Sequence, residues 1–549
     1  MPFTVPARLI LLLGLVSMMV SSCGRSPGQT DGLSVFRYNE PSNITSLDPL
    51  YARNQANIWA TTQLYNSLLQ LDENLEPQPA VAKSWTVSDD GMKYTFTLRD
   101  DVYFHDNECF PQAKGRKVVA DDFVYSLSRL VDASLNAPGS WVMNQVARDG
   151  YGALDIQADN DSTLIINLQQ PFPPFAGLLC MQYCSVVPQE AISMYGQDFR
   201  NNPVGTGPFY FKYWKEGVKL VLRKNERYFE VENQQRLPYL DAVSISFIID
   251  RQTAFLEFIK GNLEFLSAID ASYKDELLTP AGELQERYQQ QFRKISMPFL
   301  NTEYLGFQLN AERVPADWPL LKKEVRQAIN YGFDRQKMMT FLRNNIGTPA
   351  NAGFVPVGMP GFMNNEGGYT YNPDRARQLL QQAGYPNGQG LPEITLQTNQ
   401  AYQDIAQYLQ YELARIGIRI QIDVMPPATL REQMARAEAR FFRGSWIADY
   451  PDAENFLGLF YGPNRAPQGP NYTHFNNKEY DRLYELSLSM TDNEQRFRLY
   501  RQMDSILIDE APVVFLFYDQ SVRFVPHYVK NMSNNALNHL DLRRVRVEK

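Results

Sequence analysis

Cysteine and histidine are scarce: the 549-residue chain has four of each. His105, His474, His527 and His539 lie far apart. Cys180 and Cys184 are four apart but neither has a histidine neighbour, so the metal reading is weak. The chain has no Gly-x-Ser-x-Gly elbow, no His-Glu-x-x-His pair and no Walker loop. Its Gly205-Thr206-Gly207 turn lacks the Lys-Ser/Thr that would follow a phosphate loop. These gaps argue against the usual hydrolase, metalloprotease and nucleotide-binding chemistries, and neither metal nor cofactor is expected. Positive charge is in deficit, 53 Lys and Arg against 61 Asp and Glu, for a formal net charge of −8. That balance argues against a nucleic-acid partner. Beyond residue 22 no apolar run approaches the ~20 residues that cross a bilayer. There is no sustained repeat and no long linker, yet the length implies more than one core.

The N-terminus is different. Arg8 is the only charge before the uncharged run 9–20, which is short for a membrane span and has the build of a secretory signal. Val20-Ser21-Ser22-Cys23 resembles the bacterial lipobox, in which the cysteine becomes the first residue and carries lipid; an ordinary signal with a chance cysteine is the alternative. On the lipobox reading, 1–22 is a signal peptide, Cys23 the lipidation site and 23–32 a polar tether. The protein is then exported and held on a bacterial membrane surface. An exported chain can oxidise cysteines, so Cys109 could pair with Cys180 or Cys184; sequence does not assign a pair.

Periodicity gives the local structure. Trp85 and Val87, then Asp89-Asp90-Gly91, then alternating Tyr94, Phe96 and Leu98 predict a hairpin turning at the glycine. Leu164, Ile166 and Leu168 predict another strand, stopped by prolines. Asn372-Pro373 reads as a helix start and Gly384 as its stop. Ile405, Leu409, Leu413 and Ile416 stripe one helix face, and the alternation from Ile418 to Val424 predicts a strand. Thr429 with Glu432, and Thr491 with Glu494, have the spacing of capping boxes. This half therefore reads as α/β layering, with strand-like crossings between domains near 295–304 and 509–514.

The strand 440–447 runs into Trp446-Ile447-Ala448-Asp449-Tyr450-Pro451-Asp452-Ala453-Glu454-Asn455-Phe456. Three carboxylates sit at the end of a strand, where open α/β sheets gather ligands. On spacing alone they suit a turn, given Pro451 and Asn455.

Several segments resemble one family when taken in order. They are SLDPL at 46–50, the stretch 82–106, VVADDFVYSLSRL at 118–130, NPVGTGPFYF at 202–211, VRQAINYGFDRQKM at 325–338, LARIGIRIQI, WIADYPDAENFL and APVVFLFY. Together they are similar to the family 5 extracytoplasmic solute-binding proteins of peptide-type ABC importers. The resemblance implies a two-lobed α/β periplasmic-binding-protein fold (type II, three-domain), with a cleft between lobes and two hinge crossings. Lobe one would comprise 33–70, 203–295 and 511–549 with an inserted domain at 71–202; lobe two would be 296–510. It implies a monomer that captures peptides, most simply oligopeptides, and hands them to ABC permease subunits, without enzymatic activity.

By the same resemblance Asp449 receives a peptide's α-ammonium. Trp446, Ala448 and Tyr450 stand beside it, and Arg53, Gln55, Trp141, Tyr304 and Tyr518 face the ligand by loop equivalence. Asp452 and Glu454 read as loop or N-cap acids. Two departures stand out. His105-Asp106-Asn107-Glu108 leads into an insert, 107–117, that adds Cys109, Lys114, Arg116 and Lys117. Gln397-Thr398-Asn399-Gln400 occupies the place where dipeptide-specific relatives carry a carboxylate-gripping arginine, which favours longer peptides. The same fold could instead hold a non-peptide solute or serve as a ligand-sensing lipoprotein. A glycan hydrolase is a weaker alternative, because Asp449 and Asp452 share one loop while a hydrolase flanks the bond with its acids.

Overall fold

The computed structural model describes residues 32–268, 270, 272–363 and 367–549. The expected signal segment, Cys23 and nearly all of the tether lie outside the described residues. No helix among those described is long and apolar enough to cross a membrane.

Two long strands organise the molecule. Phe292–Phe307 and Val513–Pro526 run antiparallel, pairing from Phe292 with Pro526 to Gly306 with Val513. At one end Leu266–Ser267 adds to the second strand. At the other, Phe441–Ile447 adds to the first, followed by Ile394–Thr398 and Ile420–Val424 in parallel. One seven-stranded sheet therefore includes both long strands, with Thr348–Pro349 also pairing with the second. Its ladder breaks between Pro298 and Thr302. Proline has no N–H to give a ladder, and past it the hydrogen bonds change partners. Leu300 N–H donates to Ala536 O and Ala448 N–H donates to Leu300 O, each at 2.8 Å. The bend in the crossing strand thus leads directly into the turn that carries Asp449.

The N-terminal half holds two four-stranded sheets. In one, Val35–Asn39 lies parallel to Ala242–Ser246, which pairs with Lys219–Lys224 and then Phe209–Lys215. The other is antiparallel, ordered Ala82–Val87, Lys93–Leu98, Thr163–Asn167 and Ile156–Asn160. The expected hairpin turns at Gly91, whose φ of 71° favours a residue without Cβ. Both sheets share one apolar core, and separate cores fill the region beyond residue 300.

Helix Pro373–Gln382 forms between the predicted start and stop, capped by Asn372, and Gln403–Ala414 forms where the stripe predicts. Both capping boxes are corrected. The helix Pro427–Ala435 starts at the Pro426-Pro427 pair, placing Thr429 inside it; proline's fixed φ suits the first turn. The helix Asn493–Glu510 is capped by Asp492, which accepts from Gln495 N–H at 2.8 Å, not by Thr491. A carboxylate there also meets the helix dipole. The second crossing is corrected too. Asp509 and Glu510 end that helix, Ala511 turns left-handed (φ 47°), and the crossing strand begins at Val513. Cys109, Cys180 and Cys184 are free thiols.

Candidate functional site

The turn after Phe441–Ile447 holds three carboxylates with different surroundings. Asp452 is buried. It accepts from Tyr500 Oη at 2.7 Å and from Glu454 N–H at 3.0 Å, and it pairs with the Arg496 guanidinium at 3.0 Å. Glu454 is buried as well, and the hydroxyls of Tyr450 and Tyr484 each donate to one of its oxygens. Burial raises its pKa, and the two phenols offset part of that cost. Both acids are satisfied from within the protein.

Asp449 is not. Its carboxylate has one weak contact, Asn455 Nδ2 at 3.4 Å. It remains open to solvent, yet the surrounding protein removes enough water to raise its pKa. Asn455 also fixes the backbone here: its Oδ1 accepts from Asp449 N–H and from Trp446 Nε1, each at 3.0 Å. Trp446 is half-buried and braces the turn through that bond.

Residues from the N-terminal half close over this turn. The rings of Trp141 and Tyr450 stand 6.2 Å apart, and Tyr450 joins the N-terminal core although its hydroxyl is held by Glu454. Pro451 packs beside Gly177. Tyr183 is buried against Gly139, within electrostatic reach of Asp449 and of Arg53. Burial pushes its phenol up to about 12; Asp449 adds to the rise and Arg53 opposes it. Sequence reading missed Tyr183. It lies between Cys180 and Cys184 with no periodic signal of its own.

The other candidates separate into two groups. Arg53 and Gln55 are exposed at the start of the helix Gln55–Leu64, which Asn54 caps. Ala448 is buried and its N–H is committed to Leu300 O. Tyr304 and Tyr518 are core side chains and are not brought to the Asp449 group. The Tyr304 ring lies against Gly444 and Phe354, and the Tyr518 hydroxyl donates to Gly353 O at 2.8 Å. Gly444 to Ile447 pair with the crossing strand on one side. On the other, the neighbouring strand touches this one only at Phe442, so among the described residues that edge lacks a strand partner.

Where the sequence has Gln397 to Gln400 in place of an arginine, the adjacent strand supplies Arg443. It lies over the Tyr402 ring at 3.6 Å and pairs with the buried Glu303 at 2.5 Å, so its charge is already neutralised. A cavity of about 910 Å³ opens behind the site, bounded by the last turn of Gln55–Leu64, the hairpin 69–79 and the tail 531–544. Asp449 does not line it, but Cys180 and Gln182, on the segment carrying Tyr183, do.

Comparison with known proteins identifies the family of the chain. The model of the bacterial extracellular solute-binding proteins, family 5, matches residues 76–468. The glutathione-binding protein GsiB of Salmonella typhi is 27% identical over 487 residues, covering 88% of each chain. Among solved structures, the ABC transporter-associated periplasmic binding protein DppA from Helicobacter pylori, in complex with peptide STSA, is 25% identical. Its TM-score is 0.74 over 94% of this chain and 98% of that one. The murein tripeptide binding protein MppA of Escherichia coli shares the fold, with a TM-score of 0.74 at 24% identity over 94% and 99% of the two chains. These relatives are binding proteins, not enzymes.

Proposed function

Because the chain belongs to family 5 of the bacterial extracellular solute-binding proteins, we propose that it captures peptides between two lobes, with Asp449 receiving the ligand's α-ammonium. The observation that carries this reading is the contrast within one turn: Asp452 and Glu454 have their partners inside the protein, and Asp449 has a single 3.4 Å amide contact. Asp449 is open to solvent here, but a carboxylate enclosed by closure would be costly unless a cation reaches it. An ammonium supplies a charge-assisted bond worth about 1.5–3 kcal/mol and fixes the direction in which the peptide lies. The unpartnered strand edge beyond Phe442 suits main-chain pairing, which does not depend on side-chain identity. The relatives' names, a glutathione-binding protein and one solved with a bound peptide, favour the same class of ligand.

The lobes in this reading are 33–70, 203–295 and 511–549 with the inserted 71–202, against 296–510. The ladder break at Pro298 supports a hinge there. Closure would deliver the ligand to an ABC permease, with Cys23 holding the protein at the membrane by a lipid. Calorimetric titration with free and N-acetylated copies of one peptide tests the reading. Acetylation should weaken binding by at least tenfold, and equal affinities would refute the ammonium assignment.

A further inference from the structure

The cavity behind the site is walled by residues from 62–80, 180–233 and 531–544, with nothing from 296–510. At about 910 Å³ it has the size of a small-molecule site, ~300–1,000 Å³. Glu73, Gln78, Asn233 and Asn531 are its exposed rim. The charges in its wall are spent within the protein. Asp541 accepts two bonds from the Arg543 guanidinium, at 2.9 and 2.7 Å, and Arg544 donates to Glu232 at 2.8 Å. Asp72 accepts from the N–H groups of Asn74 and Glu76 in its own turn, each at 2.9 Å. Glu73 has no partner among the described residues, and it lies in solvent on the rim.

The neutral groups deeper in the wall are not spent. Gln63 and Ser185 are buried. Gln63 Nε2 donates to Trp59 O and Leu540 O, at 3.1 and 2.6 Å, but its Oε1 accepts nothing. The hydroxyls of Ser185 and Ser533 and both ring nitrogens of His539 also lack a partner among the described residues. None of these atoms is sealed off, unlike Arg523 Nε, which is unpaired and enclosed. Burial and the nearby Arg523 lower the His539 pKa to about 4, so at neutral pH the ring carries one donor and one acceptor and no charge. Leu69, Met532 and Leu540 add apolar surface. A charged ligand would lose water here without finding an open counter-charge, and an apolar one would strand the polar groups. A hydroxyl both donates and accepts, so a ligand rich in hydroxyls can meet Gln63 Oε1, the two serines and His539 together, with the C–H faces of its rings on the apolar surface.

We propose that this cavity is a second binding site, apart from Asp449, and that it takes a neutral saccharide. Gln63, Ser185, Ser533 and His539 supply its hydrogen bonds. The proposal does not depend on Asp449 as the ammonium's partner, because Asp449 does not line the cavity.

The test titrates the full chain calorimetrically with neutral disaccharides: maltose, cellobiose and N,N′-diacetylchitobiose. Lactobionate is the anionic control and N-acetyl-Ala-Ala-amide the neutral peptide control. At least one disaccharide should bind at millimolar concentration, and more tightly than either control. His539→Phe and Ser533→Ala each remove hydrogen-bonding capacity and should each weaken that disaccharide about fivefold, while Asp449→Asn should leave it within about twofold. Circular dichroism confirms that each variant is folded, and should one fail to fold, the other decides. No binding by any of the disaccharides overturns the inference, as does tighter binding of either control or an affinity that survives both cavity variants. A disaccharide affinity lost in Asp449→Asn also overturns it, by placing the sugar at the Asp449 turn. None of these results bears on the ammonium assignment, which the acetylated peptide tests separately.

Discussion

Tyr450 follows Asp449 in sequence, and its ring packs 6.2 Å from Trp141 of the N-terminal half while Glu454 holds its hydroxyl. The side chain beside Asp449 is thus also a contact between the two halves, so on the proposed function ligand capture and closure share one turn.

Closure should therefore respond to this contact. Tyr450→Ala removes both the ring contact and the Glu454 bond, so the ligand-free variant should be more open. Small-angle scattering should show a larger radius of gyration than wild type without ligand and contraction when ligand is added. An unchanged radius in the variant, with no ligand response in either protein, would count against the hinge.

Asp449 should trade stability for affinity. Burial raises its pKa, so the folded state prefers the protonated form; the associated stability is present at low pH and is lost as pH rises through the raised value. Asp449→Asn should accordingly raise the melting temperature of the empty protein at neutral pH while costing about 2–5 kcal/mol of ligand affinity. Scanning calorimetry and titration measure the two effects, and a variant that loses stability without losing affinity contradicts the assignment.

The Arg496–Asp452 pair is buried on both sides. Removing one partner leaves an uncompensated charge, so Arg496→Met should lower the unfolding free energy by about 3–5 kcal/mol in urea titration. Adding Asp452→Asn should recover part of the loss, since the stranded charge is then gone. A single variant as stable as wild type would show that the pair contributes little.

Asp504 gives a separate pH signature. It is fully buried and accepts from the N–H groups of Phe354 and Val355, with Tyr480 and Tyr518 nearby, and its pKa is raised to about 7. The unfolded value is about 3.9. Its contribution to stability is full below about pH 4 and is lost as pH rises through about 7. Asp504→Asn should flatten the pH dependence of the melting temperature between those limits; an unaltered profile would assign the slope to other groups, Glu40 among them, whose pKa is also raised to about 7.

The parts of the fold legible in sequence are those set by neighbours in the chain. Alternation and Gly91 gave the hairpin Ala82–Val87 to Lys93–Leu98, and a 3.6-residue stripe gave Gln403–Ala414. Strand ends misled where a helix intervened: Asp509 belongs to a helix, and its strand-like reading failed because Ala511, not composition, sets the turn.

Sequence alone determined that the turn carrying Asp449, Asp452 and Glu454 ends a strand in an α/β half, and that it resembles a binding motif. Which of the three acids is left without a strong internal partner was decided only by tertiary structure. Tyr484, Arg496 and Tyr500 arrive from two later helices to satisfy Glu454 and Asp452, and Tyr183 arrives from the other half within electrostatic reach of Asp449. A carboxylate's role depends on the donors and the water around it, and those are supplied by residues remote in sequence.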